Sequence, residues 1–261
     1  QGVQVALYPL MRERTAVMHA EAARMLPRAH FVPLLSWAIL RAQWYFLLRA
    51  PRTYFGAFGA LCRGTWGSFR YFTGGLALFP KAVLFARMMQ EEKVTHLHAH
   101  FASHPAAAAF VIHRLTGIPY SFTAHGSDLH RDRHMLREKV SEAAFVVAIS
   151  DFNKELIVSA CGERLRRKVE VIHCGVDNSM LRPHQESAAS QRDGRPPDIF
   201  CIGTLHEVKG QTHLIEACRV LARRGLSVTC HLVGDGPDRE MLERQVRRAK
   251  LDATVRFHGR L

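Results

Sequence analysis

The apolar run at residues 144–149 (AFVVAI) restricts the fold more than any other feature, because it has no polar side chain on either face. A strand that is apolar on both faces is typical of a parallel sheet covered by helices. Strand-like and helix-like segments alternate on both sides of it, which favours an α/β fold. The predicted strands are residues 94–98, 119–123, 144–149 and 169–172, and the predicted helices are residues 104–115, 132–141 and 151–160.

A second alternation follows a polar, turn-rich stretch at residues 184–197 (HQESAASQRDGRPP). Its predicted strands are residues 199–202, 227–233 and 254–257, and its predicted helices are residues 210–223 and 237–250. We therefore predict two α/β domains at residues 1–183 and 198–261, joined by the linker 184–197. The second domain has only about three strands and is predicted to be incomplete.

Composition and charge narrow the class of protein. The chain has 261 residues, of which 48% are hydrophobic, so it can bury a sizeable core and is not disordered. A net charge of +13 favours an anionic partner, which could be nucleic acid, a membrane surface or a phosphorylated substrate. The six cysteines form no CxxC pair, which indicates reduced thiols in a cytosolic protein. No signal peptide is visible, and both ends of the sequence look cut.

Residues 28–90 differ from the rest because aromatic residues alternate with arginines and acidic residues are almost absent. A basic, aromatic, helical segment can lie in a membrane interface, and it can equally be a helical insertion packed on the sheet. The cations of interest are Arg41, Arg49, Arg52, Arg63 and Arg70. The aromatic residues of interest are Trp44, Tyr45, Tyr54, Phe55, Trp66 and Phe69.

Histidines are concentrated in THLHAHFASH, residues 95–104. His96, His98 and His100 would share one face of a strand, although the strand is predicted to end near His98. Three histidines can bind zinc, but no carboxylate or cysteine is close in sequence, so we predict no metal. Ligands collect at the carboxyl ends of parallel strands, which makes this stretch a candidate wall of a binding site. Histidines that only satisfy backbone groups are the alternative.

Five segments in this order resemble the family 4 retaining glycosyltransferases, which have the GT-B fold of two Rossmann-like domains. They are HLHAHFASHPAAAAFVIHRLTGIPYSFTAHGSDLH, AAFVVAISDFNKELI, VEVIHCGVD, FCIGTLHEVKGQTHLIEA and LVGDGPDREMLERQV. The resemblance covers about residues 92–261 and is strongest to enzymes of bacterial exopolysaccharide assembly of the colanic-acid type. It implies transfer of a hexose from a nucleotide sugar with retention, without a cofactor or a bound metal.

The resemblance assigns the chemistry chiefly to two residues. His125 matches a histidine that contacts the donor sugar near the reacting carbon, and Lys209 matches a lysine that neutralises the donor diphosphate. An arginine usually stands five residues before that lysine, and this chain has Thr204 there instead. The helix that follows Gly210 would also present free N–H groups to phosphate. A turn histidine and an ordinary exposed lysine are the structural alternatives.

The remaining candidates follow from the same resemblance. Donor binding involves Gly126, Gly203, Thr204, Lys209, Gly210, Gly234 and Gly236, and the acceptor side or cleft involves His98, His100, Ser127, Asp128, Gly175 and Asp177. Turn chemistry alone could explain Gly175, Gly234 and Gly236. A glycine at position 126 permits either an unusual φ or a close backbone approach, and Asp128 is predicted to cap the next turn.

The predicted function is therefore a hexosyltransferase that uses a nucleotide sugar and a polyprenyl-linked or other glycan acceptor, peripheral on the cytoplasmic face of the membrane. The resemblance implies that a glycine-rich loop precedes residue 1 and a glutamate pair follows residue 261, so the sequence as given is expected to be inactive alone. A nucleotide-sugar epimerase of the same fold is one alternative. A basic module that binds membrane or nucleic acid is another, although no nucleic-acid-binding signature is present and no nucleic acid is expected.

Overall fold

The computed structural model describes residues 2–12, 20–34, 36–175 and 196–260. The chain divides into two compact units, Gln1–Val176 and Asp177–Leu261. Asp177 and most of the predicted linker lie outside the described residues, so the domain limits derived from the sequence remain predictions.

The first unit combines a group of helices with a four-stranded sheet. The helices are α1 (Ala20–Met25), α2 (Trp37–Arg49), α3 (Pro51–Thr65), α4 (Phe69–Glu91), α5 (His104–Thr116), α6 (Gly126–His130), α7 (Leu136–Glu142) and α8 (Asp151–Cys161). The strands are β1 (Leu97–His100), β2 (Tyr120–Ala124), β3 (Phe145–Ala148) and β4 (Val169–Val171). All four strands are parallel in the order β1-β2-β3-β4, as the alternating pattern predicts.

Two boundaries in this unit differ from the prediction. Strand β1 continues to His100 rather than ending near His98, because His100 pairs with Thr123 and the Phe101 N–H donates to the Thr123 carbonyl at 2.9 Å. The helix predicted over residues 132–141 begins only at Leu136, as α7, because Met135 before it adopts a φ of 59°, and the short helix α6 ends at His130, ahead of the predicted range. A residue in this left-handed conformation interrupts a right-handed helix.

The basic aromatic segment forms α2, α3 and α4, and much of it is packed. Helix α4 lies against α5, and its buried residues include Leu78, Phe79 and Val83. By length and composition alone this helix could span a membrane, yet more than half of its most apolar stretch is buried inside the protein. Tyr54 is also packed, with its hydroxyl donating to Gln43 at 2.9 Å and its ring against Phe79. The insertion is therefore a helical layer of the core.

One face of α2 remains uncovered. Trp37, Arg41, Trp44 and Leu48 recur at helical spacing on that face, and Trp37 and Trp44 are 79% and 62% exposed. We call these four residues the α2 stripe. No acidic residue occurs between Glu21 and Glu91 in the sequence, so α2, α3 and the connection between them carry arginines and no acidic side chain.

The second unit has three parallel strands and two helices. They are β5 (Asp198–Ile202), α9 (Gln211–Arg223), β6 (Thr229–Val233), α10 (Arg239–Arg248) and β7 (Val255–Gly259). Its core includes Leu205, Ile215 and Leu232. Pro237, predicted in the first turn of α10, instead precedes the helix because Asp238 is its N-cap residue. All six thiols are free, and Cys174 is exposed.

Candidate functional site

The predicted histidine cluster occupies one face of the first sheet. His96 Nε2 and His98 Nδ1 both lie 2.7 Å from the Ser121 hydroxyl, and His98 Nε2 lies 2.9 Å from the Thr123 hydroxyl. The parallel register creates this pattern, because it places Ser121 beside His98 and Thr123 beside His100. Hydroxyl groups, which can both donate and accept, therefore satisfy these imidazoles without a metal ion.

His125 lies at the carboxyl end of β2 and forms a pair with His100. Their Nε2 atoms are 3.1 Å apart, and the ring centres are 4.5 Å apart. One Nε2 must therefore carry a proton that the other accepts. The Phe101 ring, 4.7 Å from the His125 ring, closes the third side of this group. His125 is half-buried, so a small molecule can reach it at the strand end where ligands of parallel sheets collect.

Burial changes the proton affinity of the neighbouring histidines. The pKa of His98 is lowered by burial and by the nearby His96 and His100. The pKa of His100 is lowered by burial and by His125, with Asp128 acting in the opposite direction. Both rings are therefore held in the neutral form near neutral pH, in which each can donate one hydrogen bond and accept another.

Asp128 does not cap a helix as the sequence indicated. It is buried, and its Oδ2 accepts a hydrogen bond from the Ala102 N–H at 2.6 Å. Its other oxygen, Oδ1, is buried and has no hydrogen-bond partner among the described residues. The cap prediction is wrong because the aspartate points across to the β1–α5 connection rather than along its own turn. The helix cap of α8 is instead Ser150, whose hydroxyl accepts from the Asn153 N–H at 3.2 Å.

The other candidates near β2 have open surroundings. An added Cβ at Gly126 would meet only the His130 ring edge at 3.8 Å, and this glycine has no positive φ, so the unusual-φ interpretation is wrong. Ser127 and Gly175 are exposed, and an added Cβ at Gly175 would meet nothing within 4 Å. These positions leave space for a ligand, but their backbone geometry does not require glycine.

Sequence reasoning missed Lys139, which falls within the helix predicted over residues 132–141. Lys139 is fully buried, and its Nζ donates to the Ala102 carbonyl at 2.6 Å and to the His134 carbonyl at 3.3 Å. Burial lowers its pKa to about 8, against the opposing effects of Glu138 and Asp128. Nothing in the local sequence marks a buried lysine, because the residues that enclose it come from other elements.

Lys209 lies in the second unit at the end of a 3₁₀ turn, Glu207–Lys209. Its side chain is exposed and has no ion-pair partner within the residues that the structure describes. Gly210 follows with a φ of 69° and caps α9, which has no side-chain cap. Free N–H groups and the helix dipole therefore accompany the Lys209 cation, a combination that suits an anion.

Thr204 is exposed and its carbonyl accepts a hydrogen bond from the Gln211 side chain at 3.0 Å. His206 lies in the same loop, and its Nδ1 accepts from the Val208 N–H at 3.3 Å. An imidazole nitrogen that accepts is unprotonated, so this arrangement uses the neutral ring. Lys209 is consequently the cation that the loop itself supplies.

Gly234 and Gly236 are explained by packing of one backbone segment on another. A Cβ at Gly234 would lie 2.0 Å from the Gly203 carbonyl oxygen, and one at Gly236 would lie 2.2 Å from the Leu205 carbonyl oxygen. Hydrogen bonds join the same segments, for example from the Leu205 N–H to the Asp235 carbonyl at 3.1 Å. These two glycines therefore hold the loop after β5 against the loop after β6.

Among residues 2–12, 20–34, 36–175 and 196–260, no group of three or more His, Cys, Asp or Glu side chains is placed to hold a metal ion. The metal-free and cofactor-free character of the protein remains a prediction.

Two family models match consecutive parts of the chain. Residues 61–179 match Glycosyltransferase Family 4, and residues 184–261 match Glycosyl transferases group 1. TuaC of Bacillus subtilis (strain 168), named for teichuronic acid biosynthesis, is 31% identical over 156 residues. That match covers 56% of this chain and 39% of TuaC. WcaL of Escherichia coli (strain K12), named for colanic acid biosynthesis, is 30% identical over 94 residues, which cover 36% of this chain and 22% of WcaL.

Solved structures show the same fold. Anabaena HepE, crystallised in complex with UDP and glucose, is similar with a TM-score of 0.55 and 22% identity. The similarity covers 68% of this chain and 51% of HepE. The chain thus spans about half or less of the proteins that it matches, and at this identity the structural similarity establishes the fold alone. With both family models matched and the two parallel α/β units in place, the chain belongs to the glycosyltransferases of family 4 and group 1, with the GT-B fold.

Proposed function

We propose that the protein is a retaining hexosyltransferase that transfers a hexose from a nucleotide sugar to a lipid-linked or other glycan acceptor in bacterial surface polysaccharide synthesis. The observation that carries the proposal is the half-buried His125 at the carboxyl end of β2, paired with His100 at 3.1 Å in a chain of glycosyltransferase families. A neutral imidazole there can donate to a sugar hydroxyl while its partner accepts.

The donor diphosphate is proposed to bind beside Lys209. The departing nucleoside diphosphate gains negative charge in the transition state, so a fixed cation stabilises it there more than in the ground state. Lys209 supplies a cation without a competing carboxylate, and the uncapped start of α9 supplies N–H groups. The names of HepE's ligands, UDP and glucose, support a nucleotide sugar as the donor.

A lipid-linked acceptor would require the enzyme to work at a membrane surface. We infer that the α2 stripe contacts anionic lipid on the cytoplasmic face. The stripe combines two exposed tryptophans with Arg41, and the sequence from residue 22 to residue 90, which includes α2, contains no acidic residue. Tryptophan prefers the membrane boundary, and each cation near an anionic surface contributes about 1 kcal/mol.

The test is a transfer assay of the full-length protein with a panel of nucleotide sugars, comparing His125→Ala with His96→Ala. His96 lies on the same face of the sheet but bonds to Ser121 rather than to the His100 pair, so it is the matched control. We expect His125→Ala to lower turnover by about 10²-fold or more, and His96→Ala to change it little.

Product analysis separates the alternatives. A new glycosidic bond with the donor's anomeric configuration supports the proposal, whereas a free epimerised sugar nucleotide would identify an epimerase. Equal loss of activity in both variants would remove His125 from the proposed role.

A further inference from the structure

We propose that Asp128 and Lys139 are positioning residues that hold the connection after β1 so that His100 and Phe101 stay against His125. This inference rests on the proposed function for its catalytic consequence, but its geometric part concerns the free protein and can be tested without a substrate.

The two charged side chains bind opposite sides of one residue. Asp128 Oδ2 accepts from the N–H of Ala102 at 2.6 Å, and Lys139 Nζ donates to the carbonyl of Ala102 at 2.6 Å. Ala102 is itself buried, so water cannot replace either partner. Asp128 comes from α6 and Lys139 from α7, and together they fix both peptide groups of Ala102. Hydrogen bonds to charged groups are the stronger kind in proteins.

The residue before Ala102 explains why such a hold is needed. Phe101 has a φ of 81°, a left-handed conformation that is unfavourable for a residue with a Cβ. This turn aims the Phe101 ring at His125, 4.7 Å away, while His100 on the preceding strand end contacts His125 through Nε2. If the connection relaxed to an ordinary φ, the Phe101 ring would leave this position. The surroundings must therefore impose the strained conformation.

Stability alone does not require charged groups here. Lys139 lies over the Tyr71 ring at 5.3 Å, a site in which an apolar side chain of similar length would pack. Replacing buried charges by apolar side chains of similar volume is often neutral or stabilising, so the charged pair is better explained by the geometry that it imposes. Asp128 Oδ1 has no hydrogen-bond partner among the described residues, so the hydrogen bond from the Ala102 N–H is the one that this carboxylate accepts there.

The chain offers a matched control. Lys81 in α4 is another buried lysine that donates to one backbone carbonyl, that of Leu10 at 2.7 Å, and lies 5.5 Å from an aromatic ring, that of Phe85. Within the described part of the chain, Lys81 makes no hydrogen bond or ring contact with Ala102, Phe101 or the His100–His125 pair. Lys81→Met therefore removes a hydrogen bond from a buried lysine to a backbone carbonyl, as Lys139→Met does, but leaves the hydrogen bonds of Asp128 and Lys139 with Ala102 in place.

The experiment compares Asp128→Asn/Lys139→Met, Asp128→Asn and Lys81→Met. The double variant leaves no isolated buried charge, and Asp128→Asn keeps the shape and one accepting oxygen, so it serves if the double variant does not fold. The first readout is the imidazole ¹H–¹⁵N spectrum of the free protein, with the two signals assigned from His100→Gln and His125→Gln. The second is transfer by the full-length protein at saturating donor.

We expect the imidazole signals of His100 and His125 to shift in the double variant, because the two rings are no longer held against each other. We expect kcat to fall about 10- to 100-fold, with a smaller effect from Asp128→Asn. The donor KM should change less than about twofold, since donor binding in the ground state is not affected. Lys81→Met should leave both readouts as in the native protein.

Each outcome is decisive. Unchanged imidazole signals in the folded double variant, or in Asp128→Asn when that is the only folded one, overturn the positioning role. An equal change of those signals in Lys81→Met overturns it as well, because the effect would then be general destabilisation. If the signals change while transfer does not, the positioning role stands and the role proposed for His125 in transfer is wrong.

Discussion

At the residue scale, Lys209 offers a direct test of the proposed chemistry. We expect Lys209→Met in the full-length protein to lower kcat at saturating donor by about 10- to 10³-fold, because one cation stabilising a leaving group contributes on that scale. Steady-state kinetics with a purified sugar nucleotide measure this. The matched control is Lys250→Met, another lysine of the second unit, which lies beyond α10. An unchanged kcat for Lys209→Met contradicts the assignment.

Thr204 gives a companion prediction at the same scale. Its side chain is exposed next to the loop of Lys209, so Thr204→Arg adds a second cation where the family usually has one. We expect the Kd of the nucleoside diphosphate to fall about threefold to tenfold, a gain of the size of one exposed charged contact. Isothermal titration shows whether it does. Weaker binding would mean that Thr204 makes a contact of its own with the donor.

At the element scale, the α2 stripe predicts binding to vesicles that contain anionic lipid, weak binding to zwitterionic vesicles, and release as salt rises. Reversing Arg41, Arg49 and Arg52 to Glu should abolish sedimentation with anionic vesicles while the circular dichroism spectrum is retained. Three other exposed arginines of the same unit, Arg137 on α7 and Arg164 and Arg167 on the 3₁₀ segment Glu163–Lys168 after α8, allow a control with the same change of net charge. Equal loss of binding in both triple variants would show a general charge effect rather than a contact by α2.

The elements differ in how far the sequence could predict them. Strand β3 was predictable because a run that is apolar on both faces has few alternatives to a central parallel strand. The end of β1 was not, because His100 remains in the strand through its pairing with Thr123, which is distant in the sequence. The division between α6 and α7 depends on the φ of Met135, whose side chain is buried against α3, and local propensity carries no record of that contact.

The site shows the same division. His125 and Lys209 follow strands and could be predicted from motif and position. The hydrogen bonds of Asp128 and Lys139 with Ala102 could not. Asp128 and Lys139 are polar residues in a polar stretch, and only tertiary packing turns them inward. Sequence rules treat such residues as capping or solvated by default, because isolated buried charges are rare.

At the scale of the whole molecule, burial of histidines predicts a dependence of stability on pH. The pKa values of His98, His100 and His104 are all lowered, chiefly by burial. A lowered folded pKa means that the unfolded chain binds more protons just below its own histidine pKa of about 6.5, so stability falls as the pH drops through that range. The slope should correspond to as many as three protons, one for each of these histidines.

All three tryptophans belong to the first unit, so their fluorescence reports the unfolding of that unit by denaturant at pH 7.5, 6.5 and 5.5. His104→Phe retains a ring against Tyr71, where the native rings stack at 4.8 Å, and should reduce the slope by one group. Stability that is flat or rises on acidification would show that the histidines are not held neutral.

The whole protein is also predicted to need no metal. The imidazoles of His96 and His98 bond to hydroxyl groups, and those of His100 and His125 bond to each other. Purified protein should therefore contain no stoichiometric zinc or manganese, and transfer should survive a chelator. One tightly held ion per chain in elemental analysis would reverse this assignment.

The close backbone contact at Gly234 and Gly236 has a consequence for mutational tolerance. Any substitution of either glycine adds a Cβ, which would lie 2.0 Å from a carbonyl oxygen at position 234 and 2.2 Å from one at position 236. Both distances are shorter than the span of two covalent bonds. No choice of side chain relieves that overlap, so in a library that samples all amino acids these two positions should return glycine almost alone. Gly126 and Gly175 have room around them and should accept alanine and serine without loss of folding. Backbone contact therefore fixes Gly234 and Gly236, whereas a restriction at Gly126 or Gly175 would have to come from a bound ligand.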